Sequence, residues 1–197
     1  MTITQIRAGA EAVMAILPHR APLLLVDRIG SFEDGERPTL RAARAISVHE
    51  PVFAGHFPGL LLWPGVYTIE GMGQSCQILL TWMTVVEGFA REGLGPDDAA
   101  AALRALDARS QLRAGAPSPA ATALRATLAA PRELVGVSAA VDVRFFDPVF
   151  AGDLLEYEVR LTHARDAVRR FEVQATVDRR PVARGTMTGA MVRRGGT

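Results

Sequence analysis

No lysine occurs in the 197 residues, and all 22 basic side chains are arginine. Set against 21 acidic residues they leave a net charge of +1, which excludes a strong pull of the whole molecule toward nucleic acid or an anionic membrane. A single cysteine, Cys76, excludes an intrachain disulfide framework and a Cys-based metal site. No stretch of 18 consecutive apolar residues is present, so no transmembrane helix is expected. Met1 to Ala15 lacks a basic start followed by an apolar run. The sequence therefore predicts no signal peptide and a cytoplasmic address. Apolar residues make up 49% of the chain, enough for a real core. The length fits one domain, or one domain with an insertion.

Residues 5–17 alternate at roughly helical spacing and stop before Pro18, which predicts a short N-terminal helix. "PHRAP" (18–22) reads as a loop, "LLLVDRI" (23–29) as a strand and "TLRAARAI" (39–46) as a second strand. From Gly65 to about Ala90 a helix is predicted with little room for a wide polar face, the pattern of a helix buried on most sides. Pro64 precedes it, where a missing N–H does no harm. Residues 91–133, rich in alanine, read as an inserted, mobile surface feature with two short helices and no legible chemistry. Four strand-like stretches follow, at 133–146, 153–164, 167–177 and 180–192, separated by turns. One long buried helix and about six strands make an α+β chain, with a curved antiparallel sheet wrapped around the helix.

The chemistry concentrates in "GHFPGLLLWPGVYTIEGMGQ" (55–74). His56 sits in a tight turn between Gly55 and Pro58. Glu70 lies about one and a half turns into the helix that starts at Gly65. A carboxyl group buried in apolar surroundings stays protonated more readily, and an imidazole gains or loses a proton near neutral pH, so the two suit an acid–base pair. The first N–H groups of the helix have no intrahelical partner, and Gly65 leaves its own unobstructed, so a thioester carbonyl would be polarised there. These parts suit removal of a proton α to a thioester carbonyl and expulsion of a β-hydroxyl as water. His56 is the expected base and Glu70 the expected acid. Gln74, one turn further on, is placed to orient the Glu70 carboxyl group.

Three blocks resemble the FabZ-type β-hydroxyacyl-acyl-carrier-protein dehydratases of the hot-dog fold: "ILPHRAPLLLVDRI" (16–29), "EPVFAGHFPGLLLWPGVYTIEGMGQSCQIL" (50–79) and "VRFFDPVFAGDLLEYEVRL" (143–161). The resemblance covers most of the chain outside 91–133, and the middle block is the most specific. It implies a single hot-dog domain over 1–197, with the Ala-rich insertion at about 91–133. It implies that His56 and Glu70 are the catalytic pair, that the Gly65 N–H polarises the thioester, and that Phe57, Pro64, Val66 and Gln74 border the substrate. The substrate would ride on the phosphopantetheine arm of acyl carrier protein, with no metal and no loose cofactor. In this family the two catalytic side chains come from different subunits of a dimer, and such dimers assemble further, commonly into trimers of dimers.

The sequence departs from the family pattern at Leu61, Trp63, Gly71 and Gly73, where proline, methionine and alanines are usual. With the insertion, these departures point to a specialised homologue, in a polyketide or polyene pathway rather than housekeeping fatty-acid synthesis. An isomerising relative of the FabA type would carry Asp at position 70, so plain dehydration is expected. Two alternatives stay open: one subunit of a heterodimeric dehydratase with a second hot-dog chain, and a hot-dog acyl thioesterase. An acidic carrier protein would dock on arginines drawn from Arg20, Arg28, Arg165, Arg169, Arg170, Arg193 and Arg194. His19 reads as a loop hydrogen-bonder, Cys76 as core, and Asp27 as structural, paired with Arg28 or a backbone group.

Overall fold

The computed structural model describes residues 2–130 and 134–193. The chain runs β1 (Ile3–Ala8), α1 (Ala10–Ile16), β2 (Arg28–Glu33), β3 (Thr39–Ala45), a 3₁₀ turn (Pro51–Ala54), α2 (Gly65–Arg91), α3 (Pro96–Arg104), α4 (Ala108–Ala114), α5 (Pro119–Ala129), β4 (Leu134–Phe145), β5 (Leu154–Arg165), β6 (Val168–Val177) and β7 (Arg180–Arg193). Among the described residues the seven strands form one antiparallel sheet in the order β1-β2-β3-β5-β6-β7-β4. The sheet curves around α2, which packs on β3, β4, β5 and β6. This is the α+β arrangement expected from the long apolar helix and the alternating C-terminal strands.

α2 buries Met72, Cys76, Ile78, Leu79, Trp82 and Val85 in the core. Trp82 meets Phe32 of β2 edge to face, with ring centroids 6.2 Å apart. Each such side chain contributes roughly 1.5–3 kcal/mol by leaving water. The helix comes close to the sheet at Gly71, where a Cβ would lie 2.2 Å from the Tyr157 hydroxyl oxygen. A glycine within a helix costs about 1 kcal/mol relative to alanine. Here it makes room for a fully buried tyrosine ring, so the departure at position 71 is a packing device.

Two N-terminal expectations are corrected. Residues 5–17 are not one helix: β1 alternates exposed and buried positions, pairs with β2, and gives way at Gly9 to α1. Residues 23–27 lie outside the ladders, and the strand begins only at Arg28. The reason is local. The Leu25 N–H and the Leu23 carbonyl are both taken by the Gln74 side chain rather than by a neighbouring strand.

The 91–133 segment is also unlike its expectation. Its described residues hold three helices rather than two; α3 and α5 are packed rather than loosely attached, while α4 exposes Leu112 to solvent. Ala99, Ala100, Ala102 and Leu103 of α3 are buried, with α3 lying on β1, and small side chains permit that close approach. Arg104 donates to the Gln5 and Ile6 carbonyls. Asp107 reaches α1, whose N-cap Gly9 has no side chain of its own: one carboxylate oxygen accepts from Gly9 N at 2.7 Å, the other from Ala12 N at 3.2 Å. A cap normally supplied by the adjacent residue thus comes from the far side of the sequence.

Candidate active site

The histidine loop is built by its turn residues. Phe57 and Leu60 exchange backbone hydrogen bonds of 2.8 and 2.9 Å across Pro58-Gly59, and Gly59 has φ +82°. Proline followed by a glycine at positive φ is the sequence of a type II turn. The loop is tied down on both sides. Trp63 N donates to the Val149 carbonyl, Ala151 N donates to the Leu61 carbonyl, and Trp63 packs edge to face on Phe53 and Tyr67. Trp63 therefore faces the core beneath the loop. Upstream, Arg44 of β3 holds both Glu50 and Asp27. Asp27 also accepts from Ala45 N. Its partners are thus Arg44 and, of the two expected, a backbone group and not Arg28.

The His56 ring stacks on Phe57 with centroids 4.1 Å apart, and its Nδ1 lies 3.0 Å from the Leu62 carbonyl oxygen. A carbonyl only accepts, so this hydrogen bond assigns the ring proton to Nδ1. In the neutral ring Nε2 then carries the free lone pair.

Gln74 is 1% exposed, and its amide is fully used. Nε2 donates to the Leu23 carbonyl at 2.6 Å and to Glu70 Oε1 at 3.0 Å, while Oε1 accepts from Leu25 N at 2.9 Å. Two acceptors on one side and a donor on the other leave a single orientation for the amide. The Glu70 carboxyl group is thereby held from its own helix. Burial of Glu70 was expected, yet within the chain its side chain is 45% exposed. The face of α2 that carries it lines a cavity shared with α5 and with strands β4, β6 and β7.

That cavity has a volume of about 820 Å³. Glu70, Gln74 and His19 line it; His56, Phe57, Pro64 and Val66 do not. Pro64 is buried at the start of α2, whereas Phe57 and Val66 are exposed at the surface. The imidazole that the structure brings to Glu70 within the chain is that of His19, with Nε2 3.6 Å from Oε1, an ion pair when the ring is protonated. The sequence reading missed this pairing. The available signal was a histidine fixed between Pro18 and Pro22 in a loop that folds back over α2.

Gly65 opens α2, and no side chain caps that end. The Phe145 ring lies over it so closely that a Cβ would sit 2.9 Å from the ring. Burial pushes the Cys76 thiol well above its usual range and keeps it protonated, as fits a core residue. Among the described residues no group of three His, Cys, Asp or Glu side chains is placed to hold a metal ion. No helix among them is long and apolar enough to cross a membrane.

A family model described as a FabA-like domain matches residues 17–101. The 3-hydroxyacyl-[acyl-carrier-protein] dehydratase FabZ of Cronobacter sakazakii is 33% identical over 183 residues, covering 93% of this chain and 92% of that protein. The FabZ of Aeromonas salmonicida is 31% identical over 179 residues, covering 90% of each. Among solved structures, the dehydratase heterocomplex ApeI:P from Xenorhabdus doucetiae superposes with a TM-score of 0.55 at 17% identity, over 92% of this chain and 91% of that one. A mutant of the thioesterase PA1618 from Pseudomonas aeruginosa gives 0.50 at 13% identity, over 94% of each. A dehydratase and a thioesterase share this architecture, so the structural likeness establishes the hot-dog fold and leaves the chemistry to the residues. The sequence identity, extending over nine-tenths of both partners, goes further: the chain belongs to the FabZ family of 3-hydroxyacyl-acyl-carrier-protein dehydratases.

Proposed function

We propose that the protein removes water from (3R)-hydroxyacyl thioesters carried on acyl carrier protein, giving trans-2-enoyl thioesters, in fatty-acid or polyketide-type biosynthesis. The observation that carries this reading is a carboxyl group held at an apolar cavity by Gln74, in a chain that also fixes an imidazole with a free Nε2. His56 Nε2 takes the proton from C2, while Nδ1–H stays on the Leu62 carbonyl and steadies the imidazolium. The Gly65 N–H, at the positive end of α2, holds the negative charge that builds on the thioester oxygen. Protonated Glu70 gives its proton to the C3 hydroxyl. The C–O bond breaks, the former C2–H electron pair becomes the C2=C3 bond, and water leaves. The proton on His56 then passes to the Glu70 carboxylate and both groups are reset. Phe57, Pro64 and Val66 border the entry of the phosphopantetheine arm. The scheme uses no metal and no dissociable cofactor.

His56 does not line the cavity that holds Glu70 in the same chain. The reading therefore completes each site between two copies, His56 of one beside Glu70 of the other. The exposed apolar side chains Phe57, Val66, Phe145 and Phe146 support an interface there. A homodimer, alone or assembled further as a trimer of dimers, satisfies this requirement; a heterodimer with a second hot-dog chain is the other arrangement. The partner is an acidic carrier protein, met by exposed arginines such as Arg20, which adjoins the cavity-lining His19. The domain is a single hot-dog unit over 1–197 with 91–133 inserted, working in the cytoplasm.

The test is incubation with a 3-hydroxyacyl carrier protein while the mass of the acyl arm is followed. Loss of one water by the native protein, absent in His56→Ala and Glu70→Gln, is the expected result. Release of free acid without dehydration would move the reading to a thioesterase.

A further inference from the structure

The cavity extends well beyond the reacting groups. Its floor is a broad face of α2, along which Glu70, Gly73, Gln77, Leu80, Thr84 and Gly88 follow one another at steps of three or four. From Glu70 to Gly88 is eighteen positions (88 − 70), or roughly 27 Å at the helical rise. Gly73 and Gly88 keep the floor low. Among the lining residues the charged side chains besides His19 and Glu70 are Glu92 and Arg169. Glu92 follows the last residue of α2, and Arg169 shares a row with Gly189 and Ser138, away from the Phe145 that covers Gly65. No charged side chain of α2 lines the cavity between Glu70 and Glu92.

Strands β4, β6 and β7 supply one wall, and α5, within the inserted segment, supplies another. Ala120, Ala123, Leu124, Thr127 and Leu128 line it, at the i, i+3, i+4, i+7, i+8 spacing of one helix face. Several of these side chains are small, which leaves width for a ligand. The helix is anchored: Ala121, Leu124 and Leu128 are buried, α5 packs on α1 and α3, and Ser118 caps its first turn through Ala121 N.

We infer that α5, a helix of the inserted segment, is the wall that sets which acyl-chain lengths the cavity along α2 accepts. The inference rests on the proposed dehydratase reading for the tail's identity. A long floor beginning at the proposed acid, with no charged side chain of α2 between Glu70 and Glu92, fits a hydrocarbon chain continuing from the reacting carbons.

The experiment compares Ala123→Trp, which fills the cavity from α5, with Thr122→Trp, on an exposed position of the same helix outside the lining. Each is assayed with 3-hydroxybutyryl and 3-hydroxypalmitoyl carrier protein, and for palmitate binding by calorimetry. Thr127→Trp replaces Ala123→Trp if the latter does not fold. The expected result is a loss of kcat/KM on the long substrate of at least about tenfold relative to the short one. Palmitate binding should be lost in parallel, with Thr122→Trp unchanged. A long-to-short ratio that does not move, or palmitate bound equally by every variant, would overturn the inference. If no variant turns over either substrate, the dehydratase reading fails and palmitate still decides the wall. Binding lost only on filling keeps it, and binding retained or never seen removes it.

Discussion

Gln74 Nε2 donates to Glu70 Oε1 at 3.0 Å, one turn along α2, and the same amide grips the backbone of Leu23 and Leu25. The proposed acid is thus tied to the loop that carries His19. Gln74→Leu keeps the volume and removes the contacts. It leaves a buried N–H and a carbonyl without partners, a loss of about 1–3 kcal/mol in stability. With Glu70 free to swing, kcat should fall by roughly 10- to 100-fold, with a smaller change in KM. Urea unfolding and steady-state kinetics check this. A variant that is destabilised but fully active would show that Gln74 holds the fold and not the acid.

Asp107 capping α1 ties the inserted helices to the N-terminal segment. Asp107→Ala should cost about 1–2 kcal/mol. Asp107→Asn, which keeps an acceptor, should cost less. Hydrogen exchange at the α1 amides is the local readout: they should lose protection in Asp107→Ala before the sheet does.

Tyr157 gives a pH signature. Burial pushes its phenol above the usual range, with Arg44 opposing and Asp27 adding. Its hydroxyl has no hydrogen-bond partner among the described residues. Below about pH 10, where a free tyrosine starts to ionise, the contribution is constant. Above it the unfolded chain releases a proton that the folded chain keeps, so stability falls as pH rises. Tyr157→Phe should remove that part of the decline and leave stability at neutral pH equal or higher. Urea midpoints of both proteins across the alkaline range measure it; parallel declines would contradict the account.

The features legible in the sequence are those carried by neighbouring residues. The Pro58-Gly59 turn, the helix opening at Gly65 and the Glu70-to-Gln74 step are each encoded within a few positions. The four C-terminal strands were legible from alternation, though β4 is described only from Leu134, and Glu133 and Arg194 lie outside the described residues. What escaped is long-range. The strand in β1 shows only when β2 pairs with it. The cap from Asp107 crosses 98 positions, and the alanines of α3 read as low complexity until β1 lies under them. Residues 23–27 look like a strand because their composition suits one, and a single glutamine side chain decides otherwise. The echo of "PVFAG" at 51–55 and 148–152 makes the same point. The first copy forms a 3₁₀ turn and the second does not.

The central claim is that one working site draws His56 and Glu70 from two different copies. Mixing the inactive variants His56→Ala and Glu70→Gln under conditions that allow subunit exchange tests it most directly. If the site spans two copies, each mixed dimer holds one intact site and one doubly disabled one. The mixture should then recover roughly a quarter of native activity for random pairing in a twofold dimer. If His56 and Glu70 of one chain served the same site, no pairing would bring the two intact residues together, and a mixture that exchanges subunits yet stays inactive would contradict the account.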